Sequence, residues 1–515
     1  MSFKINPSRA FKNDEISHLC NFHQSFPDIV MEHASDASSA AVRAGALEAI
    51  TSLLDTSQSR AILRPLLPSL GNLIHDKSEK VRVAAVRMLL AVKQIPGIRF
   101  YHVVPVDHLT ARFTEEGRLH RSPCNAVAKE LTALMLNSYF PQGHNVSGAD
   151  QLKRTLTFLL TEPSASAVFY ANLSAHLTVD SVVKFVVMLL TCLNSAVKVD
   201  QARQIKESKA KKKRRRQGSE ESREENEDQT LSASNTPLMA SLAETICILW
   251  ESIEPDLTTT NHQGCNERLV NSLSRVDLTN ILIHFEDKAT ESASENDEQI
   301  RTRDDCIRTC GAILRCVGKL PPEAVDGVLP HVISSLKSLS TSGLSQRQVS
   351  AHIAVLCLWG KTDEVAKALS TSIAADSDIV GSLTSPLLFE DGPAHLRSSS
   401  DRKSRNRCSG RGLEAKCDIP SIPPRFAWGL IQDFLQGSDA SNEATRKAIL
   451  SSADACETIE AALERGTVVA EQLLLADSVS FPTISSKLFH YFYLNAAALS
   501  FSSCRASGRA FKDLK

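Results

Sequence analysis

Three cysteines lie closer together than any others in the chain, at Cys306, Cys310 and Cys316. Residues four apart share one face of a helix, so Cys306 and Cys310 could bind one metal ion together. Zinc sites, however, generally use two close pairs of ligands or added histidines at short spacing, and no histidine lies nearby. We therefore interpret the cluster as buried or half-buried thiols, and we predict no metal site and no cofactor.

His75 and Asp76 are residue types that general acid–base catalysis uses. A turn between two helices explains both residues equally well. The sequence has no G-x-S-x-G motif, no H-E-x-x-H motif and no phosphate-binding loop. We therefore predict that the chain is not an enzyme and has no small-molecule substrate.

Basic residues surround the most regular part of the sequence and are candidates for binding DNA phosphates, with salt-sensitive and sequence-independent affinity. The candidate DNA contacts are Lys77, Lys80, Arg87 and Lys93. An ordinary solvated helix face is the alternative for all four. A second basic run is a candidate nuclear localisation signal, formed by Lys209, Lys211, Lys212, Lys213, Arg214, Arg215 and Arg216.

The same basic run could also contact nucleic acid as a flexible arm, or could be a solvated linker with no further role. An acidic block follows it, from Glu220 to Asp228, and would partly neutralise its charge. Ser219 and Ser222 lie beside this block, and our hypothesis is that their phosphorylation would add negative charge next to the basic run.

The elements that position the first basic group form a repeated pattern. Val42-Arg43 and Val81-Arg82 are 39 positions apart, close to the ~40 to 47 residue period of HEAT and armadillo repeats. We expect Arg43 and Arg82 to pair with acidic groups of a neighbouring repeat. The predicted structural repeat positions are Val42, Arg43, Asp76, Val81 and Arg82.

Apolar residues within the second copy follow helical spacing. They fall on one face of a helix, at Val81, Ala84, Ala85, Met88, Leu89 and Val92. A second apolar stripe lies upstream, at Leu63, Leu66, Leu67, Leu70 and Ile74, and Asp76 to Glu79 has the spacing of a capping box between the two. The prediction is an all-α fold, an α-solenoid of HEAT-like helical hairpins with disordered loops.

Composition divides the chain into six predicted segments. The Lys/Arg run and the acidic block have too little apolar surface to order themselves, and a Ser/Arg/Pro-rich stretch suits a second linker. The predicted segments are a HEAT-repeat array at 1–200, a disordered basic/acidic linker at 201–236, continuing helical repeats at 237–390, a Ser/Arg/Pro-rich linker at 391–424, C-terminal helices at 425–500 and a polar tail at 501–515.

Bulk composition limits the classes of partner. The formal net charge is −1, so any attraction to nucleic acid must be local. The 13 cysteines are scattered without a disulfide framework and no signal peptide begins the chain, which predicts a reducing cytosol or nucleus. The most apolar stretch, residues 182–193, is interrupted by Lys184 and is shorter than the ~18 to 20 residues that cross a bilayer. We expect a buried helix and no membrane partner.

The string LLPSLGNLIHDKSEKVRVAAVRMLL, residues 66–90, resembles the HEAT repeat in the middle of the condensin II G-type subunit. The likeness extends to residues 39–43 and 136–141, and more weakly to 248–253 and 357–360. It implies the central portion, or a truncated form, of a regulatory scaffold subunit found in the nucleus and on chromosomes. The partners implied are the kleisin and SMC subunits of a condensin complex, with chromosomal DNA as a second partner in mitotic chromosome condensation.

A transport or adaptor solenoid of the karyopherin or armadillo type is the alternative. It would use the same helical units to bind protein cargo and would need no DNA. A search for SMC and kleisin partners distinguishes the two.

Overall fold

The structure is a computed structural model. It describes residues 28–120, 124–143, 146–217, 232–291, 296–325, 327–337, 345–373, 419, 422, 430 and 440–461. Every regular element in these residues is a helix, which confirms the predicted all-α class. Two compact units are present, one formed by 1–193 with 237–269 and the other by 194–236 with 270–515. The sequence analysis grouped 237–390 as one run, whereas 237–269 pack with the first unit.

The first unit contains nine α-helices with described bounds in full, parts of three more, and three short 3-10 turns. They are α1 Ala40–Leu54, α2 Ser57–Leu63, α3 Leu67–Gly71, a 3-10 turn Asn72–His75, α4 Glu79–Lys93, α5 Phe100–Val103, α6 Val106–Leu119, α7 Ala126–Tyr139, α8 Gly148–Thr161, α9 Pro163–Leu173, a 3-10 turn Ser174–His176, the start of α10 Val179–Gln217, and most of α11 Thr236–Leu257. A 3-10 turn Thr260–His262 and α12 Gln263–Leu273 follow α11.

Four helices of the first unit pack side by side. Helix α4 packs against α1 on one side and α7 on the other, and α9 continues the row beyond α7. The apolar face predicted for α4 is fully formed, since all six of its residues are buried. Consecutive hairpins stack in this way in HEAT arrays, because each hairpin alone leaves an apolar face uncovered.

The upstream stripe forms two short helices rather than one. Leu63, Leu67, Leu70 and Ile74 are buried as the stripe predicts, but the chain turns between α2 and α3. Pro68 lies in the first turn of α3, where a missing N–H costs least, and Pro65 precedes it outside either helix. The prolines therefore divide the first helix of this hairpin.

Helix α10 is long and apolar enough, by length and composition, to cross a membrane over Val179–Lys206. The sequence analysis counted this apolar run as too short, so that estimate was wrong. Half of its most apolar window is buried inside the protein, and Phe185 packs edge-on against Phe140 at 4.7 Å between ring centroids. Core helices of folded domains show this packing.

The second unit contains the ends of α10 and α12, six further α-helices with described bounds and one 3-10 turn. They are α13 Leu278–Glu291, α14 Asp297–Val317, a 3-10 turn Pro322–Ala324, α15 Val328–Lys337, α16 Gln346–Leu358, α17 Thr362–Ile373 and α18 Ala440–Ser451, with residues 453–461 also helical. Helix α14 packs between α13 and α16, and α16 packs against α18. Ser345 begins α16 with a capping box that it forms with Gln348.

Several predicted segments fall on residues that the structure does not describe. Helix α10 continues to Gln217, so residues 201–217 of the predicted linker are helical, in keeping with the strong helix preference of Lys, Arg, Gln and Ala. The acidic block with Ser219 and Ser222, the linker at 391–424 apart from residues 419 and 422, and the tail at 501–515 lie outside the described residues, as does most of 425–500.

Candidate interaction surface around the second repeat

Arg43 connects the first repeat to the second. Its Nε and Nη2 donate to Asp76 Oδ2 and Oδ1 at 2.7 and 2.8 Å, and its Nη1 donates to the Asp36 carbonyl at 2.7 Å. A fork of this kind matches both oxygens of a carboxylate and fixes its orientation. Asp76 lies 33 residues further along the chain, so the pair ties neighbouring hairpins together.

Arg82 repeats this arrangement one hairpin later. Its Nε donates to Glu116 Oε1 at 2.7 Å, and its Nη1 donates to the carbonyls of Asp76 and Lys77. Arg112 also approaches Glu116 Oε1, at 3.0 Å. All three charged side chains are buried. Arg82 is therefore engaged inside the protein, whereas Arg43 is partly buried and has all three of its guanidinium nitrogens in hydrogen bonds.

The two valines of the pattern differ. Val81 is fully buried, whereas Val42 is 38% exposed. Helix α4 packs against both α1 and α7. Val42 and Val81 thus occupy the same position of the repeat, but the burial of each depends on which helices pack beside it.

The Asp76 carboxylate binds Arg43 and is not the N-cap of α4. Helix α4 begins at Glu79 with Ser78 as its N-cap, and Ser78 makes no side-chain cap bond, so the predicted capping box is wrong. Asp76 Oδ1 accepts instead from the Ser78 N–H at 2.7 Å. Burial raises the pKa of Asp76, but Arg43 and this N–H outweigh burial and hold the pKa below its ordinary value.

Lys77 and Lys80 are exposed around the first turn of α4. Neither has an ion-pair partner among the described residues. Arg87 projects from the same helix with 61% of its side chain exposed, and its Nε donates to Glu130 Oε1 at 2.8 Å. Exposed pairs of this kind are weak, so the Arg87 guanidinium stays accessible to a competing anion.

Lys93 differs from the other three candidates. Its side chain is half-buried, and Nζ donates to the carbonyls of Ala133 and Leu134 in α7 at 3.2 and 2.7 Å. Burial lowers the pKa of Lys93. The structure therefore leaves Lys80 and Arg87 exposed on α4, and Lys77 exposed just before it, and directs Lys93 into the packing of α4 against α7.

The candidate nuclear localisation signal, Lys209 to Arg216, lies on the last turns of α10, but its side chains are outside the described residues. The cysteine cluster is fully described. Cys306, Cys310 and Cys316 are all buried on α14, as the thiol interpretation predicts. Burial raises the pKa of Cys306 to about 12 and that of Cys310 well above its ordinary value.

A small cleft opens between α6 and α9 in the first unit. It has a volume of about 280 Å³ and is lined by Thr114, Gly117, Arg118, Ser164, Ala167, Val168 and Ile248. A Cβ on Gly117 would lie 2.7 Å from Val168 Cγ2, so glycine allows the two helices to approach closely. The lining is mainly apolar with one guanidinium at its edge, and it suits a single apolar side chain.

The sequence analysis did not identify the acidic partners Glu116 and Glu130. They lie 34 and 43 residues beyond the arginines they bind. The only available signal was an acidic residue one repeat length downstream. Several acidic residues lie near that distance, so spacing alone does not choose among them.

Comparison with curated proteins relates the chain to one group. It is 26% identical over 337 residues to "Condensin-2 complex subunit G2" of Danio rerio, a match that covers 65% of this chain and 26% of the relative. The subunit of the same name from Homo sapiens is 28% identical over 336 residues, again covering 65% and 26%. The Xenopus laevis subunit is 28% identical over 342 residues, covering 65% and 27%. The predicted resemblance to the condensin II G-type subunit is confirmed.

The chain spans about a quarter of the length of the curated relatives it matches. No protein-family model matches it. Among solved structures, an engineered protein aligns with 91% of this chain at 11% identity and a TM-score of 0.20, which is too low to support an argument about the fold.

Proposed function

We propose that this chain is a regulatory scaffold of a condensin II complex, which binds the kleisin and assists DNA engagement in mitotic chromosome condensation. The observation that carries the proposal is the similarity of 65% of the chain to condensin-2 complex subunit G2. Stacked helical hairpins support it, because such arrays hold elongated ligands through many modest contacts. The role is non-catalytic, and the location is nuclear and chromosome-associated.

DNA is the second proposed partner, and Lys77, Lys80 and Arg87 are the proposed contacts. The two lysines are exposed and without ion-pair partners in the described residues, and the Arg87 pair with Glu130 is largely solvated. Phosphate contacts by such residues supply affinity without sequence preference. Lys93 is not included, because its ammonium is bound to two carbonyls.

The cleft between α6 and α9 is the proposed anchor for the kleisin. An extended protein segment needs at least one buried side chain to fix its register on a scaffold. The cleft has the size and apolar lining for one such side chain. Arg118 also lines it; its pair with Glu115 at 3.0 Å is exposed and therefore weak, so a carboxylate of the partner can compete for the guanidinium. The kleisin residue that enters it is therefore proposed to be apolar, with an acidic residue beside it.

Co-purification from mitotic and interphase extracts tests the proposal. We expect a kleisin and SMC subunits to be recovered in stoichiometric amounts with the tagged chain. Recovery of transport cargo without either of these would contradict the proposal and favour the karyopherin-type alternative.

A variant in the cleft tests the anchor separately. Ala167→Arg fills the cleft with a charged side chain, and we expect it to reduce kleisin recovery about tenfold or more, since removal of a central anchor costs ~2 kcal/mol or more. Ala49→Arg on exposed α1 is the matched control and should leave recovery unchanged. Equal recovery with both variants would exclude the cleft as the anchor.

A further inference from the structure

Three side chains from three helices of the second unit meet at one point. Glu286 comes from α13, His331 from α15 and His352 from α16. Glu286 Oε2 lies 3.0 Å from His331 Nε2, and Glu286 Oε1 lies 3.1 Å from His352 Nε2. The potential ligand atoms of all three residues lie within 4.8 Å of one another.

The cluster is enclosed by the protein. The side chain of His352 is fully buried, that of Glu286 is 10% exposed and that of His331 is 15% exposed. Burial raises the pKa of Glu286, and the two neighbouring histidines lower it by more. His331, at the edge, gives a small ion a path from solvent.

The orientation of the His352 ring is set by a second contact. Its Nδ1 lies 2.6 Å from the Gln348 carbonyl, and because a carbonyl only accepts, Nδ1 carries the proton. The other ring nitrogen, Nε2, faces Glu286 Oε1 at 3.1 Å. Both of these buried atoms are left without a hydrogen bond, and a cation bound between them would satisfy both.

We propose that Glu286, His331 and His352 bind a divalent transition-metal ion of the zinc class. Two imidazoles and one carboxylate, with a fourth position for water, are an established zinc donor set, with metal–ligand distances of about 2.0 to 2.2 Å. Ligand atoms at that distance in a tetrahedron are about 3.3 to 3.5 Å apart. The Glu286–His331 and Glu286–His352 distances need to change by only a few tenths of an ångström. The two histidine nitrogens lie within 4.8 Å of each other and would approach by up to about 1.3 Å to reach the tetrahedral spacing.

The ion would act as a cross-link between helices. Ligands that lie 45 and 21 positions apart along the chain would be joined through one centre, which stabilises the packing of α13, α15 and α16. The Gln348 carbonyl would be the outer contact that fixes the His352 ring, as in many zinc sites. His331 Nε2 donates to Glu286 in the metal-free state, so its proton moves to Nδ1 when Nε2 binds the ion.

Metal titration of the full chain tests the proposal. The chain is stripped with a chelator, kept reduced, and titrated with Co²⁺ and then Zn²⁺. We expect about one equivalent of Co²⁺ with tetrahedral absorption bands and without a thiolate charge-transfer band. We also expect a zinc-dependent rise in melting temperature.

Variants assign the ligands. His331→Gln, at the edge of the cluster, should weaken Co²⁺ binding at least tenfold and abolish the zinc-dependent rise. His284→Gln is the matched control, because His284 lies on the same helix as Glu286 but faces Asp200 at 3.4 Å. This control should keep both signals.

X-ray absorption of the zinc-loaded wild-type chain identifies the atoms bound to the metal. It needs no substitution, so a folding defect in a variant cannot affect the result. A first shell of nitrogen and oxygen atoms supports the proposal. A first shell containing sulfur, or equal binding by wild type and His331→Gln, would overturn it. Absence of binding would overturn it too and would leave a histidine–glutamate hydrogen-bond network only.

Discussion

Arg82 and Glu116 form a buried ion pair, with the arginine Nε donating to Glu116 Oε1 at 2.7 Å although 34 residues separate them. Arg43 and Asp76 form the equivalent contact one repeat earlier, across 33 residues. Each pair connects a helix to the hairpin that follows it. An ion pair between neighbouring hairpins thus recurs with the repeat period of the sequence.

Removal of Glu116 should be strongly destabilising. Glu116→Leu leaves Arg82 and Arg112 buried without their counter-charge, and breaking such a pair costs about 3 to 5 kcal/mol. Urea denaturation, monitored by a signal from the first unit, measures the change in its free energy of unfolding.

Glu130→Ala is the control for this variant. It removes the solvated partner of Arg87, and such pairs contribute ~0 to 1 kcal/mol. The double variant Arg82→Met with Glu116→Leu should recover part of the loss, because fewer unpaired charges remain. Equal effects of Glu116→Leu and Glu130→Ala would contradict the prediction.

Two glycines should respond in opposite directions to replacement by alanine. A Cβ at Gly71 would lie 2.6 Å from Val104 Cγ2 and 2.9 Å from the Val103 carbonyl oxygen. Backbone cannot move away as a side-chain end can, so we expect Gly71→Ala to cost about 1 to 3 kcal/mol.

Gly45 is exposed within α1 and has nothing within 4 Å of its virtual Cβ. Gly45→Ala should therefore stabilise the protein by about 0.5 to 1 kcal/mol, through reduced chain entropy alone. Thermal and urea unfolding of both variants measure whether each substitution raises or lowers the free energy of unfolding. A stabilised Gly71→Ala variant would show that α3 and α5 do not approach as closely as described.

Charge reversal at the start of α4 should weaken DNA binding. Each lost phosphate contact lowers the slope of log K against log salt by about 0.9, so Lys77→Glu with Lys80→Glu should reduce it by about 2. Fluorescence anisotropy with a labelled duplex, over about 50 to 200 mM salt, measures the slope.

The matched control is Lys129→Glu with Lys153→Glu. Both are exposed lysines of the same unit, and the change in net charge is identical. The control should keep the slope of the wild type. If both double variants lowered it equally, the effect would come from overall charge and the two α4 lysines would be removed from the proposed interface.

Buried thiols should resist alkylation in the folded chain. The thiolate is the reactive form, and burial raises the pKa values of Cys306 and Cys310 far above neutral pH. Of the cysteines that the structure describes, Cys124 is the exposed one and should react before the others with N-ethylmaleimide. Mass spectrometry of peptides after brief labelling distinguishes the sites. Rapid modification of Cys306 in the native chain would contradict the described packing of α14.

Much of the first unit could be predicted because its pattern is local. Apolar residues spaced at three and four positions identify the buried face of α4, and all of them are buried. The first and last residues of the helices were harder to predict. Asp76 was expected to cap α4 and instead binds Arg43. Its carboxylate had two competing partners, and only one of them is near in sequence.

The candidate DNA contacts show the same limit. Lys77, Lys80, Arg87 and Lys93 are alike as residue types, yet Lys93 turns into the α4–α7 contact while the others remain exposed. The groups that bind Lys93 are backbone carbonyls 40 and 41 residues away. Every residue has such a carbonyl, so residue type does not predict which one binds the lysine.

By itself, the sequence determined the helical class, the repeat period and the buried stripe of each hairpin, because these depend on residues within a few helical turns. Only the tertiary structure decided which charges pair and that Glu286, His331 and His352 converge. Such contacts join helices far apart in the chain, and their geometry depends on packing that no spacing rule encodes.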